Sequence, residues 1–276
     1  MQQQKNKNKY ITPMNKNKKS KKKLAHFDGF KKYSNDKKIE TYLQRHCKEF
    51  NISPLDAVIH FPLYIRRQLL KRFIAHLELF RLSLNVPGDI AEIGVFRGLG
   101  LMTWANLLES LSIGSRTKVV YGFDNWSGFS GLHEKDGAPN SETQKTKGGF
   151  NAKNYLKQLN EVINIFNLDR FVPWKPRIKL IKGNIETTVP LFLQNNPGIR
   201  FSLVHFDCDL YQPTLSALEA IWPRVVRGGV VIFDEYSIKD WPGESAAVDE
   251  FFKDHKNLKL KCFEWTNAPA CYLIKG

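Results

Sequence analysis

The sequence predicts an α/β domain on a doubly wound, Rossmann-like, mostly parallel sheet, and two observations carry that expectation. Past residue 88, short apolar runs alternate with helix-length stretches, the pattern of strand–helix–strand units. Two of those runs, Phe201-Ser-Leu-Val-His-Phe206 and Gly228-Gly-Val-Val-Ile-Phe233, end in acids: Asp207 and Asp209 after the first, Asp234 and Glu235 after the second. Ligands of open parallel sheets bind outside the carboxyl ends of the strands, so these four acids are the first candidates for chemistry.

The chain of 276 residues, 42% of them hydrophobic, is long enough for one α/β core and a small helical appendage. Its formal charge of +15 is mostly local. Residues 1–38 hold 13 Lys against 2 acids (+11), which leaves 29 basic and 25 acidic residues (+4) for the remainder. That segment reads as a basic, largely disordered tail, because it has too few apolar groups to offset the entropy of ordering. The Lys-rich run Lys16 to Lys23 carries no aromatic residue to stack on bases, so no clear nucleic-acid site is read there. No apolar core follows the positive charges, which argues against a secretory signal, and no window is long enough for a membrane span. Cys47, Cys208, Cys262 and Cys271 lack metal-site spacing and read as reduced thiols of a cytoplasmic protein.

The elements follow in order. From Ile39 to residue 85 apolar positions recur at helical spacing, as in Tyr64, Leu69, Phe73, Leu77 and Phe80. Breaks at Ser53-Pro54 and Phe61-Pro62 divide this stretch into two or three helices, a preface suited to covering a sheet edge or roofing a pocket. Asn85-Val-Pro-Gly88 ends it, and a strand begins at Asp89-Ile-Ala-Glu-Ile93. Further strands are expected at 119–123, 178–181, 203–206 and 230–233, with crossover helices near 100–111, 154–166 and 214–222. Leu258 to Phe263 and Ala270 to Ile274 form the expected terminal hairpin.

The first strand-to-helix turn, Glu92-Ile-Gly94-Val-Phe-Arg-Gly98-Leu-Gly100, has glycines that let backbone approach a ligand, although it is not a dinucleotide fingerprint. The next strand ends in Asp124, where a ribose diol would be gripped, and the third is followed by Gly183-Asn184-Ile185-Glu186. Four acids without basic partners repel one another, and a hard divalent cation is the simplest remedy.

Together these segments resemble a class I S-adenosylmethionine-dependent methyltransferase, and within that class the macrocin O-methyltransferase family. The segments that carry the resemblance are Ala91 to Gly98, Gly122 to Phe129, Gly183 to Pro190, Asp207-Cys-Asp-Leu-Tyr-Gln-Pro-Thr214, and Gly228 to Tyr236 leading to Ala246-Ala-Val-Asp-Glu-Phe251. The resemblance covers residues 86 to 275 and implies a seven-stranded sheet whose last pair includes an antiparallel strand. It further implies that Glu92, Gly94 and Gly98 line the methionine end of the cofactor. Asp124 and Asn125 would hold the ribose, and Asn184 with Ile185 would border the adenine. A Mg2+ ion would sit near Asp207, Asp234 and Glu235. The family more usually has Asp-Asp-Tyr where this chain has Asp234-Glu235-Tyr236.

Read as a methyltransferase, the chain is expected to transfer a methyl group to a hydroxyl of a sugar or glycosylated natural product, with Asp207 as metal ligand and candidate base. Asp209 is expected to cap the next helix or to support the site, and His205 to be structural. The long polar stretch Trp126 to Phe150 reads as a lid or acceptor-binding loop, with His133 as an alternative base, and Trp241-Pro242 would wall the acceptor pocket. Two other classes stay open: a metal-independent RNA or protein methyltransferase docking through its tail, and a cofactor-binding protein without catalysis. A homo-oligomer is compatible with each.

Overall fold

The computed structural model describes residues 36–255 and 258–276. The expected tail, 1–38, lies almost wholly outside the described residues. Residues 36–83 form four helices: α1 (Asp36–Glu49), α2 (Pro54–Ile59), α3 (Phe61–Tyr64) and α4 (Arg67–Ser83). The two proline breaks of the sequence are helix starts. Ser53 caps α2 in a capping box with Asp56, and Pro54 occupies its first turn, where no N–H is missed.

After this preface come β1 (Asp89–Ile93), α5 (Leu99–Leu111), β2 (Val120–Asp124), α6 (Lys153–Leu168), β3 (Ile178–Lys182) and α7 (Ile185–Asn195). The second half runs β4 (Phe201–Phe206), α8 (Tyr211–Ile221), β5 (Val225–Phe233), α9 (Pro242–Phe252) and β6 (Cys271–Ile274). The strands form one sheet in the order β3-β2-β1-β4-β5-β6, parallel except for β6, which runs antiparallel to β5.

Among the described residues the sheet has six strands, one fewer than expected. Of the segment Leu258 to Phe263, only Lys261 pairs, through a single antiparallel bridge to Tyr272. Residues 259–262 are exposed, so a longer ladder there would bury no apolar surface to offset the cost of ordering it. Two helices escaped the sequence reading, α7 and α9. Helix α7 contains Pro190, which cannot donate to the Glu186 carbonyl one turn back; Ser216 Oγ donates to that carbonyl instead, at 3.3 Å.

The sheet separates two apolar layers. Ala91, Ile93, Phe123, Val204, Phe206 and Phe233 pack with Val189, Leu218 and Val248 of α7, α8 and α9. Ile90, Leu203, Val230 and Ile232 pack on the other face with Leu79 and Phe80 of α4, Leu101 and Trp104 of α5, and Leu159 of α6. Side chains alternate along a strand, so Glu92, His205, Asp207 and Asp234 share the face that α4 covers. The inward positions of α4 are Ala75, His76, Leu79, Phe80 and Ser83, while Phe73, expected inside, is 40% exposed.

Candidate active site

Strand order reverses between β1 and β4, and the carboxyl ends of the two strands bracket a crevice. The ladder carries past both strands: Asp207 N donates to Ile93 O at 2.8 Å, and Asp234 N donates to Phe206 O at 3.0 Å. Gly94, with φ +92, permits the close approach. A Cβ there would lie 2.0 Å from the Asp207 carbonyl oxygen.

On the β4–β5 side, Asp207, Asp234 and Glu235 each present a carboxylate oxygen within 4.8 Å of the others. Arg72 of α4 bridges two of them. Its Nη2 lies 2.7 Å from Asp207 Oδ2 and its Nη1 2.7 Å from Asp234 Oδ2. The other oxygen of Asp234, Oδ1, faces His205 Nε2 at 3.1 Å, while His205 Nδ1 faces Glu92 Oε1 at 3.4 Å. Glu235 N donates to Oε1 of Glu244 at 2.7 Å. Oε2 of Glu235 and Oε2 of Glu244 are buried without a hydrogen-bond partner.

The charges at this end of the sheet are unequal: five carboxylates, of Asp207, Asp209, Asp234, Glu235 and Glu244, influence one another beside Arg72 and His205. Burial pushes the carboxyls of Asp209, Glu235 and Glu244 well above the usual range, and neighbouring acids add to the shift. Asp207 is raised by burial and then by Asp234, against the pull of Arg72. Asp234 is the exception. Burial disfavours its charge, but Arg72 and His205 outweigh that and hold it below the ordinary carboxylate range. For His205, burial opposes the charged form, yet Asp234 and Glu92 raise its pKa to about 10. Burial lifts Glu92 to about 7, partly offset by His205.

These residues fit a hard divalent cation. The donors are oxygens, the acidic groups outnumber the basic ones beside them, and Glu235 keeps a buried oxygen with no partner. Glu92, His205 and Asp207 also lie close enough for a metal. There, however, His205 Nε2 is taken by Asp234, and Nδ1, 3.4 Å from Glu92 Oε1, makes no hydrogen bond.

Asp209 does not cap α8. Its own backbone sits at φ +65, and the N-cap residue is Leu210, with no side-chain cap bond. The first amide of α8, Tyr211 N, instead donates to Oδ1 of buried Asp136 at 2.7 Å, and Oδ2 of Asp136 accepts from His133 N at 2.7 Å. Lys145 Nζ adds bonds to the carbonyls of Asp136 and Asp240 at 2.9 and 2.7 Å. The 126–150 loop is therefore tied to α8 and to the segment before α9. His133 spends its Nδ1 accepting from Lys135 N and lays its ring 4.6 Å from that of Tyr211. Trp241 packs against Phe129 and Phe150 of the loop.

On the β1–β2–β3 side, Asp124 Oδ2 accepts from Val95 N and Phe96 N at 2.9 and 2.7 Å, and Oδ1 accepts from Trp126 N at 2.6 Å. This carboxylate shapes the glycine turn. Gly98, with φ +90, is the N-cap of α5. Asn125 Oδ1 accepts from Ser127 N, and its amide donates to Gly128 O. Asn184 caps α7 through Glu186 N, and Ile185 is its first helical residue, half-buried against the core. Glu92 is 1% exposed, and Gly100 leaves room for it, since a Cβ there would meet Glu92 Oε1 at 1.9 Å.

The chain has known relatives. Residues 65–268 match the family described as macrocin O-methyltransferase (TylF). The chain belongs to that family. Its relatives include mycinamicin III 3''-O-methyltransferase of Micromonospora griseorubida, 26% identical over 179 residues, covering 62% of this chain and 63% of the relative. The chain thus spans less than two thirds of that protein's length. The crystal structure of CalS11, a calicheamicin methyltransferase, superposes with a TM-score of 0.80 at 30% identity, covering 88% of this chain and 94% of that one. The apo structure of CalS11, described as a TDP-rhamnose 3'-O-methyltransferase, gives 0.71 at 29% identity over 88% and 96%. The family match begins at Ile65 and so takes in α4, which supplies Arg72 and His76.

The sequence did not reveal Arg72 or Glu244, and it offered Asp136 only as one polar residue of the 126–150 loop. Arg72 lies four residues before His76, and that i, i+4 pair of polar residues on one helix face was the available signal.

Proposed function

We propose that this protein is an S-adenosylmethionine-dependent O-methyltransferase that uses a hard divalent cation, Mg2+ by the family resemblance, to methylate a hydroxyl of a sugar unit. The observation that carries the reading is the carboxylate group Asp207, Asp234 and Glu235 at the switch point, with a buried, unpartnered oxygen on Glu235. The named activities of its relatives, on mycinamicin III and on TDP-rhamnose, support a glycoside or nucleotide sugar as acceptor.

When bound, S-adenosylmethionine would supply an electrophilic methyl group, and the cation would supply Lewis acidity that eases ionisation of the acceptor hydroxyl. The rest falls to the chain. Asp207 is the most open member of the Arg72–Asp207–Asp234 group, its side chain 28% exposed, and is the residue to take the hydroxyl proton. Asp207, Asp234 and Glu235 would hold the cation. Gly94, Gly98 and Glu92 would border the methionine portion of the cofactor, Asp124 and Asn125 the ribose, and Asn184 with Ile185 the adenine. The tied loop 126–150, with Phe129, Phe150 and Trp241, would wall the acceptor side and exclude water.

Calorimetry with S-adenosylhomocysteine, followed by methyl transfer to nucleoside-diphosphate rhamnose with and without chelator, tests the proposal. Binding together with chelator-sensitive transfer is expected. Absence of cofactor binding would overturn the reading, and full activity in excess chelator would overturn its metal part.

A further inference from the structure

We infer that Arg72 is an internal counter-cation that competes with the divalent ion for Asp207 and Asp234, so that α4 sets the affinity of the cation site. The inference rests on the cation reading above.

The argument starts from oxygen accounting at Asp234. Its Oδ1 faces His205 Nε2 and its Oδ2 accepts from Arg72, so each oxygen already carries one cationic donor and a further ligand would have to share it. Asp207 likewise gives Oδ2 to Arg72. A cation that draws on both acids finds the guanidinium on one oxygen of each and competes with its charge for the same carboxylates. The fork of Arg72 spans the two carboxylates as one ion between them would, but with a single charge spread over a plane. Its hold is also incomplete: Arg72 Nε is buried with no partner, so part of the guanidinium is desolvated without a compensating bond.

The helix itself does not depend on this contact. Helix α4 is seated by Ala75, Leu79 and Phe80 against the sheet and α5, one to two turns further along, and His76 Nδ1 bonds the Arg72 carbonyl rather than its side chain. The side chain can withdraw while the helix stays. A substitution at 72 should then act on ion binding without removing the wall over the crevice.

The test measures Mn2+ binding to the full chain by electron paramagnetic resonance or calorimetry, for wild type, Arg72→Gln and Arg72→Lys. Gln removes the charge and should tighten Mn2+ binding about tenfold or more, the size expected on releasing charge-assisted bonds. Lys keeps the charge but not the planar fork, and should fall between. If the Gln variant does not fold by circular dichroism, the Lys variant carries the comparison against wild type. Unchanged or weaker binding in the folded variants, beside clear binding by wild type, overturns the role of Arg72 and leaves the metal reading standing. No Mn2+ binding by any of the three overturns both.

Discussion

His205 Nε2 lies 3.1 Å from Asp234 Oδ1, joining the buried interior of β4 to the acidic end of β5. The contact places a charged imidazole beneath the site, and that charge has a pH signature. The folded-state pKa of His205, raised to about 10 from its ordinary 6.5, means that its contribution to stability is complete below about 6.5 and is lost as pH rises towards 10. Asp234 has the opposite sense: its depressed value makes its contribution present above 3.8 and lost as pH falls through the folded value. Glu92, on the other ring nitrogen and raised to about 7, adds a decline between 4.5 and 7, because the folded state holds its proton more tightly. Melting temperature followed from pH 7 to 10 should fall more steeply for wild type than for His205→Gln. Parallel profiles would mean that the imidazole is neutral in the folded protein.

Asp207→Asn keeps the shape of the side chain but removes its charge and its basicity. Methyl transfer should drop by at least about a hundredfold, the usual scale for loss of a positioned base. Affinity for S-adenosylhomocysteine should change little, because Asp207 belongs to the β4 side of the crevice and the proposed cofactor groups to the β1–β2–β3 side. Single-turnover rates and calorimetry on the same preparation separate the two effects. Equal loss of both would put Asp207 in the cofactor half.

Asp136 is 1% exposed and serves two backbone amides, Tyr211 N and His133 N. Asp136→Ala leaves both donors without their acceptor and removes the cap of α8. A loss of about 2 to 4 kcal/mol is expected, from one cap and one charge-assisted bond. Urea denaturation gives the stability, and limited proteolysis should find new cleavage within residues 127–149. A variant as stable and as resistant as wild type would show that the loop is held by other contacts.

The sheet was legible because its strands carry continuous apolar runs bounded by Gly, Pro and acids: β1 falls on Asp89–Ile93 as read, and the other parallel strands lie within a few residues of their predicted spans. The acids after β4 and β5 were visible for the same reason, since a strand's direction fixes which end its flanking residues occupy. Their counter-ion was not. Within α4 the apolar series Leu69, Phe73, Leu77, Phe80 suggested one inward face, yet the buried face is rotated to carry Arg72 and His76 over Asp207, Asp234 and His205. A helix whose buried stripe changes from apolar to basic along its length defeats a search for periodic apolar residues. Helix α7 was hidden by Pro190, whose cost is met by Ser216 from α8, a residue 26 positions later. Such compensation has no local trace.

Asp124→Asn isolates the remaining half of the crevice. The carboxylate takes three backbone amides, two on Oδ2 and one on Oδ1. An asparagine has one acceptor oxygen, so whichever way its amide turns, an NH2 group faces a backbone N–H: Trp126 in one orientation, Val95 and Phe96 in the other. The milder arrangement forfeits the Trp126 bond, and a cost of about 1 to 3 kcal/mol follows from a buried donor left unpaired. Because the amides of Val95 and Phe96 belong to the glycine turn between Gly94 and Gly98, the variant should also bind S-adenosylhomocysteine more weakly than Asp207→Asn does. Chemical denaturation and calorimetry read the two effects separately. Lost stability with unchanged affinity would assign Asp124 to shaping the turn alone and move the ribose contact elsewhere.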